Sequence, residues 1–223
     1  MKNLKVLLAD DHNIVRKGLR ALLEKETGIE IIYEADNGYE VLEYLSKELP
    51  DLIIMDLSMP KLNGIYTTEK IKIKYPSVKV LILSRHEAKE YVLSAIGVGA
   101  DGYLVKKSAP EELITAIKAI VNGDMYMSPA VSRVILKRLL LKGKYFTKSV
   151  ELTGRENEMF QLLAEGYETK EIAEMLFISV DTASSHRKNL MKKLNVKNIA
   201  ELTKIAIKEG IIEMDLPGHN NSH

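Results

Sequence analysis

Leu52-Ile53-Ile54-Met55-Asp56-Leu57-Ser58-Met59-Pro60 is the stretch on which the fold turns. Its four leading apolar residues run without polar alternation, the pattern of a strand buried on both faces. Asp56 then puts a bare carboxylate at the strand's end, and Pro60 and Gly64 turn the chain away. Taken alone, Asp56 is a solvated strand-end charge. Its meaning depends on which other residues reach the same place.

Outward from this strand, apolar runs at Leu4–Ala9, Ile29–Ala35, Val78–Leu83 and Tyr103–Val105 predict four more strands. Helical spacing separates them: Ile14, Val15, Leu19, Leu22 and Leu23; Val41, Leu42 and Leu45; a helix through Ile71; Val92, Leu93 and Ile96; and Leu113, Ile114, Ile117 and Val121. Five strand–helix repeats predict an α/β doubly wound, five-stranded parallel sheet. Ligands of such sheets bind beyond the carboxyl ends of the strands. The residues delivered there are Asp10 and Asp11, Asp56, Ser84 and Lys106. Three converging carboxylates repel one another unless a cation joins them. Hard oxygen ligands in small number suit Mg²⁺. With a lysine and a hydroxyl beside one carboxylate, the set matches what phosphoryl transfer needs.

The 223 residues, 46% hydrophobic and 28% charged, allow one large domain or two ordinary ones with real cores. The absence of cysteine excludes disulfides and thiolate metal sites and is compatible with a reducing cytoplasm. Neither a signal peptide nor a membrane span is expected. The net charge of +1 is uneven: residues 125–150 hold six basic and no acidic side chains, while 151–223 hold 9 basic and 12 acidic. A domain-wide basic signature for nucleic acid is therefore missing, and any such interaction must rest on a local patch.

Asp10-Asp11, Met55-Asp56…Met59-Pro60…Gly64, Ser84 and Gly102-Tyr103-Leu104-Val105-Lys106 resemble the receiver domain of two-component response regulators, over residues 1–124. The resemblance implies that Asp56 accepts a phosphoryl group from a sensor histidine kinase, with Mg²⁺ held by Asp10, Asp11, Asp56 and the Ser58 carbonyl. It implies that Lys106 pairs with the acyl phosphate, that Ser84 and Tyr103 form the switch, and that Ser58 and His86 tune dephosphorylation. Lys107 departs from the proline that often follows the lysine. Haloacid-dehalogenase-like phosphatases also use a strand-end Asp, but need a second Asp two residues on, where this chain has Ser58. The chain is thus expected to catalyse only its own phosphoryl transfer and dephosphorylation.

Residues 125–150 are expected to be a helix opening at Pro129 followed by a basic linker from Leu141 to Ser149. Beyond it, Thr153-Gly154-Arg155-Glu156 has capping-box form, Thr169 is expected to cap a second helix, and Ser179 a third. Two short helices across the Phe177-Ile178-Ser179 turn suggest a helix-turn-helix. Val180, Ala183, Leu190 and Leu194 are expected inward, and Ser184, Ser185, Lys188 and Lys192 outward on one face. Leu152-Thr153-Gly154-Arg155-Glu156…Lys170-Glu171-Ile172-Ala173…Ser179-Val180…Lys193-Leu194 resembles the LuxR-type DNA-binding domain, expected over 151–214 with a frayed tail at 215–223. Together the two halves look like a NarL/FixJ-family response regulator. By position, Ser184, Ser185 and Lys188 would approach bases, and Thr182, Arg187 and Lys193 phosphates, with Lys192 beside them. Leu202, Ile205 and Ala206 lie on the helix where the family dimerises. Asp181 and Ala183 depart from the usual Lys and Val. The implied partners are the kinase, double-stranded DNA with two half-sites, a second copy on activation and RNA polymerase. A competing function is a phosphorylation-independent DNA-binding dimer whose receiver serves for assembly, and a third is a phosphate sink.

Overall fold

The apolar runs lie side by side as parallel strands. The computed structural model describes residues 3–108, 110–140, 152–209 and 211–212. Strands β1 (Leu4–Ala9), β2 (Ile29–Ala35), β3 (Leu52–Met55), β4 (Lys79–Ser84), β5 (Gly102–Val105) and β6 (Tyr126–Met127) form one sheet in the order β2-β1-β3-β4-β5-β6. Every pairing is parallel. Successive side chains of a strand point to opposite faces, so the sheet divides two apolar layers. One layer joins Val6, Leu8, Ile54 and Leu81 to α1 (Asn13–Leu23) and α5 (Pro110–Val121) through Leu23, Leu113, Ile117 and Ile120. The other joins Leu7, Ile53, Met55 and Ile82 to α2 (Gly38–Leu45), α3 (Gly64–Lys74) and α4 (Lys89–Gly97) through Val41, Leu45, Ile71 and Val92.

The sequence predicts five strands, and the described residues form six. Two residues of β6 are too few to show any periodicity, and backbone bonds define the strand: Tyr126 N donates to Asp101 O (3.1 Å) and Ser128 N to Tyr103 O (3.1 Å). The following helix α6 (Pro129–Leu140) starts at Pro129 as expected, and its Val131 is fully buried in the layer of α2–α4. The α/β unit therefore runs past the boundary expected at residue 124. The linker from Leu141 to Ser149 and the tail 215–223 lie outside the described residues.

Four helices make the second half: α7 (Gly154–Ala164), α8 (Thr169–Met175), α9 (Val180–Lys193) and α10 (Ile199–Glu209). The capping box forms as predicted: Glu156 Oε2 accepts from Thr153 N (2.8 Å) and Thr153 Oγ1 from Glu156 N (3.3 Å). Two expectations are corrected. Helix α8 is capped one residue earlier, where Glu171 Oε2 accepts from Glu168 N (2.7 Å), because the Thr169 hydroxyl accepts from Arg187 Nη1 instead (2.9 Å). Val180 is 47% exposed, since the first residue of α9 precedes the turn at which Ala183 reaches the core. Phe160, Leu163, Ile172, Leu190, Leu202 and Ala206 complete that core.

The two halves dock. Tyr39 of α2 and Tyr66 of α3 pack against the C-terminal apolar cluster. Glu158 Oε1 pairs with Lys70 Nζ across the seam (2.6 Å), while its other oxygen holds Arg155 Nη1 (2.7 Å). Burial pushes the Tyr39 hydroxyl up to about 12, and Tyr39 Oη has no hydrogen-bond partner among the described residues. The loop after β3 is held most closely. Gln161 Oε1 accepts from Asn63 N (2.9 Å), Gln161 Nε2 donates to Met59 O (3.0 Å), and Glu165 accepts from Lys61 N (3.2 Å).

Gly64 opens α3 directly beneath Asp56. A Cβ there would stand 2.1 Å from Asp56 O and 3.0 Å from Met55 Cγ. Gly64→Ala is expected to destabilise the chain by about 3 kcal/mol or more, the overpacking cost of a core that cannot relax. The measurement is urea unfolding of both proteins; a difference under about 1 kcal/mol would show that the loop gives way.

Candidate functional site

Sheet pairing continues one residue past the strands and sets the acids in place. Asp10 N donates to Ala35 O (3.1 Å) and Asp56 N to Ala9 O (2.8 Å). Lys106 follows β5, its amide bonded to Ser84 O (2.7 Å), so β4 fixes where the lysine leaves the sheet. Its ammonium lies between two carboxylates, 2.7 Å from Asp10 Oδ2 and 2.9 Å from Asp56 Oδ2. Of the five residues expected at this edge, Asp10, Asp11, Asp56 and Lys106 come together, and Ser84 ends the strand beside them with its hydroxyl on His86 N.

One more joins them. His12 Nδ1 stands 2.7 Å from Asp11 Oδ1 and 3.3 Å from Asp10 Oδ1, and its amide donates to Asp10 Oδ1 (2.9 Å). Its position immediately after the acidic pair, at the mouth of α1, is the signal the sequence offers for it. Asp10, Asp11, His12 and Asp56 offer ligand atoms all within 4.8 Å of one another.

The electrostatics are those of a set short of positive charge. Burial pushes Asp56 up to about 6 despite Lys106, with Asp10 and Asp11 adding to the rise. Burial likewise raises Asp11, against the pull of His12. Lys106 is disfavoured by burial, but Asp56 and Asp10 outweigh that and hold its pKa above the ordinary lysine value. Asp10 Oδ2 is buried without a hydrogen bond; its lysine contact is an ion pair outside hydrogen-bond geometry. Three neighbouring acids sharing one ammonium, with hard oxygen donors, fit a small divalent cation.

Behind the acids, Ser84 is fully buried and its hydroxyl accepts from His86 N (3.1 Å). Tyr103 is fully buried and donates to His86 O (2.7 Å), so its ring is already inward. The His86 ring stacks on Tyr91 with centroids 4.1 Å apart. Ser58 lines, with Asp11, His12, Met59 and Pro60, a cleft of about 240 Å³ whose other wall belongs to the C-terminal half: Glu165, Ile211 and Ile212.

On α9, Thr182, Ser184, Ser185, Lys188 and Lys192 are exposed with both halves in place. Asn189, unassigned by the sequence pattern, is exposed four residues beyond Ser185. The left-handed Phe177 (φ 53°), 95% exposed, makes the tight turn from α8. Arg187 is tied to Thr169, and Lys193 to Glu156 (2.7 Å), so both brace the domain. Leu202 and Ala206 are core residues; only Ile205 of the three expected at a dimer contact keeps partial exposure.

An acidic, lysine-bridged edge on a doubly wound sheet, joined to a helix-turn-helix, defines a regulator that couples a chemical input to DNA. Residues 6–118 match the response regulator receiver domain, and residues 150–206 the luxR family of bacterial regulatory proteins. The chain is 35% identical to the oxygen regulatory protein NreC of Staphylococcus carnosus, over 94% of this chain and all of NreC. It is 34% identical to the transcriptional regulatory protein DegU of Brevibacillus brevis, over 95% and 96%. Among solved structures it is similar to RcsB of Salmonella enterica serovar Typhimurium bound to promoter P1flhDC in the presence of phosphomimetic BeF3−, and to two RcsB dimers bound to two parallel DNAs. In each case identity is 30%, the TM-score is 0.59, and coverage is 91% of this chain and 97% of the other. The chain belongs to the NarL/FixJ family of two-component response regulators, with a receiver and a LuxR-type DNA-binding domain. Among the described residues no helix is long and apolar enough to cross a membrane.

The raised Asp56 has a stability signature. A carboxyl raised from 3.8 to about 6 by folding costs stability above pH 6, and the cost fades as pH falls towards 4. In metal-free buffer at pH 7.5, Asp56→Asn is expected to be more stable than wild type by about 2–3 kcal/mol. The gap should close near pH 4, and Mg²⁺ should narrow it by stabilising wild type. Equal urea midpoints at both pH values would contradict this.

Proposed function

We infer that Asp56 takes a phosphoryl group from a sensor kinase's phosphohistidine and that this controls DNA binding by the second domain. The observation that carries the inference is Lys106, set 2.9 Å from Asp56 Oδ2 and 2.7 Å from Asp10 Oδ2 within a four-member ligand cluster. An Asp56 oxygen attacks phosphorus and the P–N bond breaks as the P–O bond forms, its electron pair passing to nitrogen; the imidazole, protonated on its other ring nitrogen, leaves as a neutral base. Asp10, Asp11, Asp56 and the Ser58 carbonyl would hold Mg²⁺. Bound there, the ion supplies charge neutralisation on the transferring oxygens. Lys106, freed from part of its pairing with Asp56, takes up an acyl-phosphate oxygen. The Ser84 hydroxyl turns from His86 N to the phosphoryl group, and His86 and Ser58 set how readily water reaches it. Phosphoryl transfer and its hydrolysis are the chain's own chemistry, and Asp56 is the substrate.

The output face is α9. Ser184, Ser185 and Lys188 would read base edges in the major groove, and Thr182 and Lys192 would meet phosphates. Two copies on two half-sites would give the two-fold arrangement, pairing through the Ile205 side of α10. The complex would act in the cytoplasm, where DNA and RNA polymerase are accessible.

Acetyl phosphate with Mg²⁺ is expected to label wild type and leave Asp56→Asn unlabelled; label on the variant would refute the assignment. On DNA, Lys188→Ala is expected to lower affinity about tenfold, and wild-type affinity should fall steeply between about 50 and 200 mM salt. Salt-insensitive binding would show that α9 is not the interface.

A further inference from the structure

The docked arrangement leaves α9 uncovered and grips a different element, the loop between Asp56 and α3. Three features make that grip specific. First, Gln161 of α7 is fully buried and spends both ends of its amide on the loop: Oε1 on Asn63 N (2.9 Å) and Nε2 on Met59 O (3.0 Å). Those backbone atoms flank the turn that leads away from Asp56. Second, Glu165 closes the same turn through Lys61 N (3.2 Å to either oxygen), and Gln161 Nε2 bonds Glu165 Oε1 as well (2.7 Å), so the two side chains act as one unit. Third, the loop cannot absorb a shift internally. Gly64 N is bonded to Leu57 O (2.9 Å), Gly64 has no room for even a methyl group against Asp56 O, and Asn63 is committed to capping α3 through Tyr66 N (3.0 Å). Movement at Asp56–Ser58 is therefore passed on to Met59 and Asn63, the two residues that Gln161 holds.

We propose that Gln161 is the latch that keeps the DNA-binding domain on the receiver, and that its two amide bonds to the Met59–Asn63 backbone are the contacts that phosphorylation of Asp56 breaks. This rests on Asp56 being the phosphoacceptor. The seam is held below its best, since Tyr39 Oη is buried there without a partner among the described residues. A hydrogen bond's net contribution is modest, so losing the two amide contacts shifts the docked–undocked balance without unfolding either half. By linkage, whatever opens the seam also favours the phosphorylated loop.

The chain has no cysteine, so Lys47→Cys and Glu174→Cys, both at exposed positions, accept a spin-label pair that reports the distance between halves in the full chain. With wild type, Mg²⁺ and beryllofluoride should convert a single short-distance population into a longer one. With Gln161→Ala, the longer population should rise roughly tenfold or more without any phosphoryl mimic. Gln161→Glu, which keeps the side chain's size and its acceptor but sets a carboxylate against Met59 O, should do the same. In both variants acetyl phosphate should still label Asp56. Variants that remain docked like wild type while Asp56 labels normally would overturn the latch and leave the phosphoacceptor assignment standing. Failure of wild type to label would instead overturn that assignment and with it release by phosphorylation, while the variants' distances without any mimic would still decide whether Gln161 holds the domains together.

Discussion

A single ammonium group among buried acids is the constraint on which the rest of this molecule depends. Asp10 and Asp56 are nearly inaccessible at the ends of neighbouring strands, and the burial of paired carboxylates is tolerable only with a cation between them. Lys106 supplies it, from a strand fixed by its bond to Ser84 O. The same position explains the order β2-β1-β3-β4-β5 of the sheet core: β1 and β3 are adjacent so that the acids meet, and β4 and β5 come next so that a hydroxyl and a lysine can reach them. One lysine cannot satisfy three acids. The deficit appears as the raised Asp56 and Asp11, and it makes the site receptive to further positive charge.

Much of this is legible in the chain because it is written in short-range patterns. Unbroken apolar runs mark the strands, and since the productive edge of a parallel sheet is known in advance, the residues ending those runs name the site before any geometry is available. Thr153 and Glu156 announce their capping box by spacing alone. What escapes is long-range or too brief. Strand β6 has two residues and exists only because Asp101 and Tyr103 offer it free backbone groups. His12 belongs to the acidic cluster by virtue of the turn into α1. Val180 reads as inward because periodicity cannot say where on its first turn a helix meets the core. Leu202 and Ala206 carry an apolar stripe that reads equally as core or contact, and packing assigns both to the core. The seam is the extreme case: Gln161 is an ordinary polar residue on an amphipathic helix until Met59 and Asn63, about a hundred positions earlier, are set against it.

The site and the output helix communicate through parts that neither contains. The loop after Asp56 joins α3, α3 meets α7, and α7 shares a core with α9 through Met159, Phe160, Ala183 and Leu190. On the opposite side, Tyr103 reports the state of the β4 edge through its bond to His86 O, while its own carbonyl anchors Ser128 at the start of α6. Both ends of the receiver thus have a mechanical connection to later elements of the chain, each built of a few directional bonds beside a few apolar contacts. Such contacts are lost in small steps of free energy, which suits a switch that a single covalent group must throw.

The uncovered face of α9 bears on how the protein searches DNA. If α9 reads DNA as proposed, a surface that stays open while the halves are docked would let one copy sample duplex weakly through Lys188, Lys192 and the hydroxyls beside them. Once two copies are joined, the second contact is made at the effective concentration set by the tether, and avidity multiplies two modest affinities into one strong one. On the proposed mechanism discrimination would then grow with the number of reading helices engaged together, a number that the phosphoryl group would set.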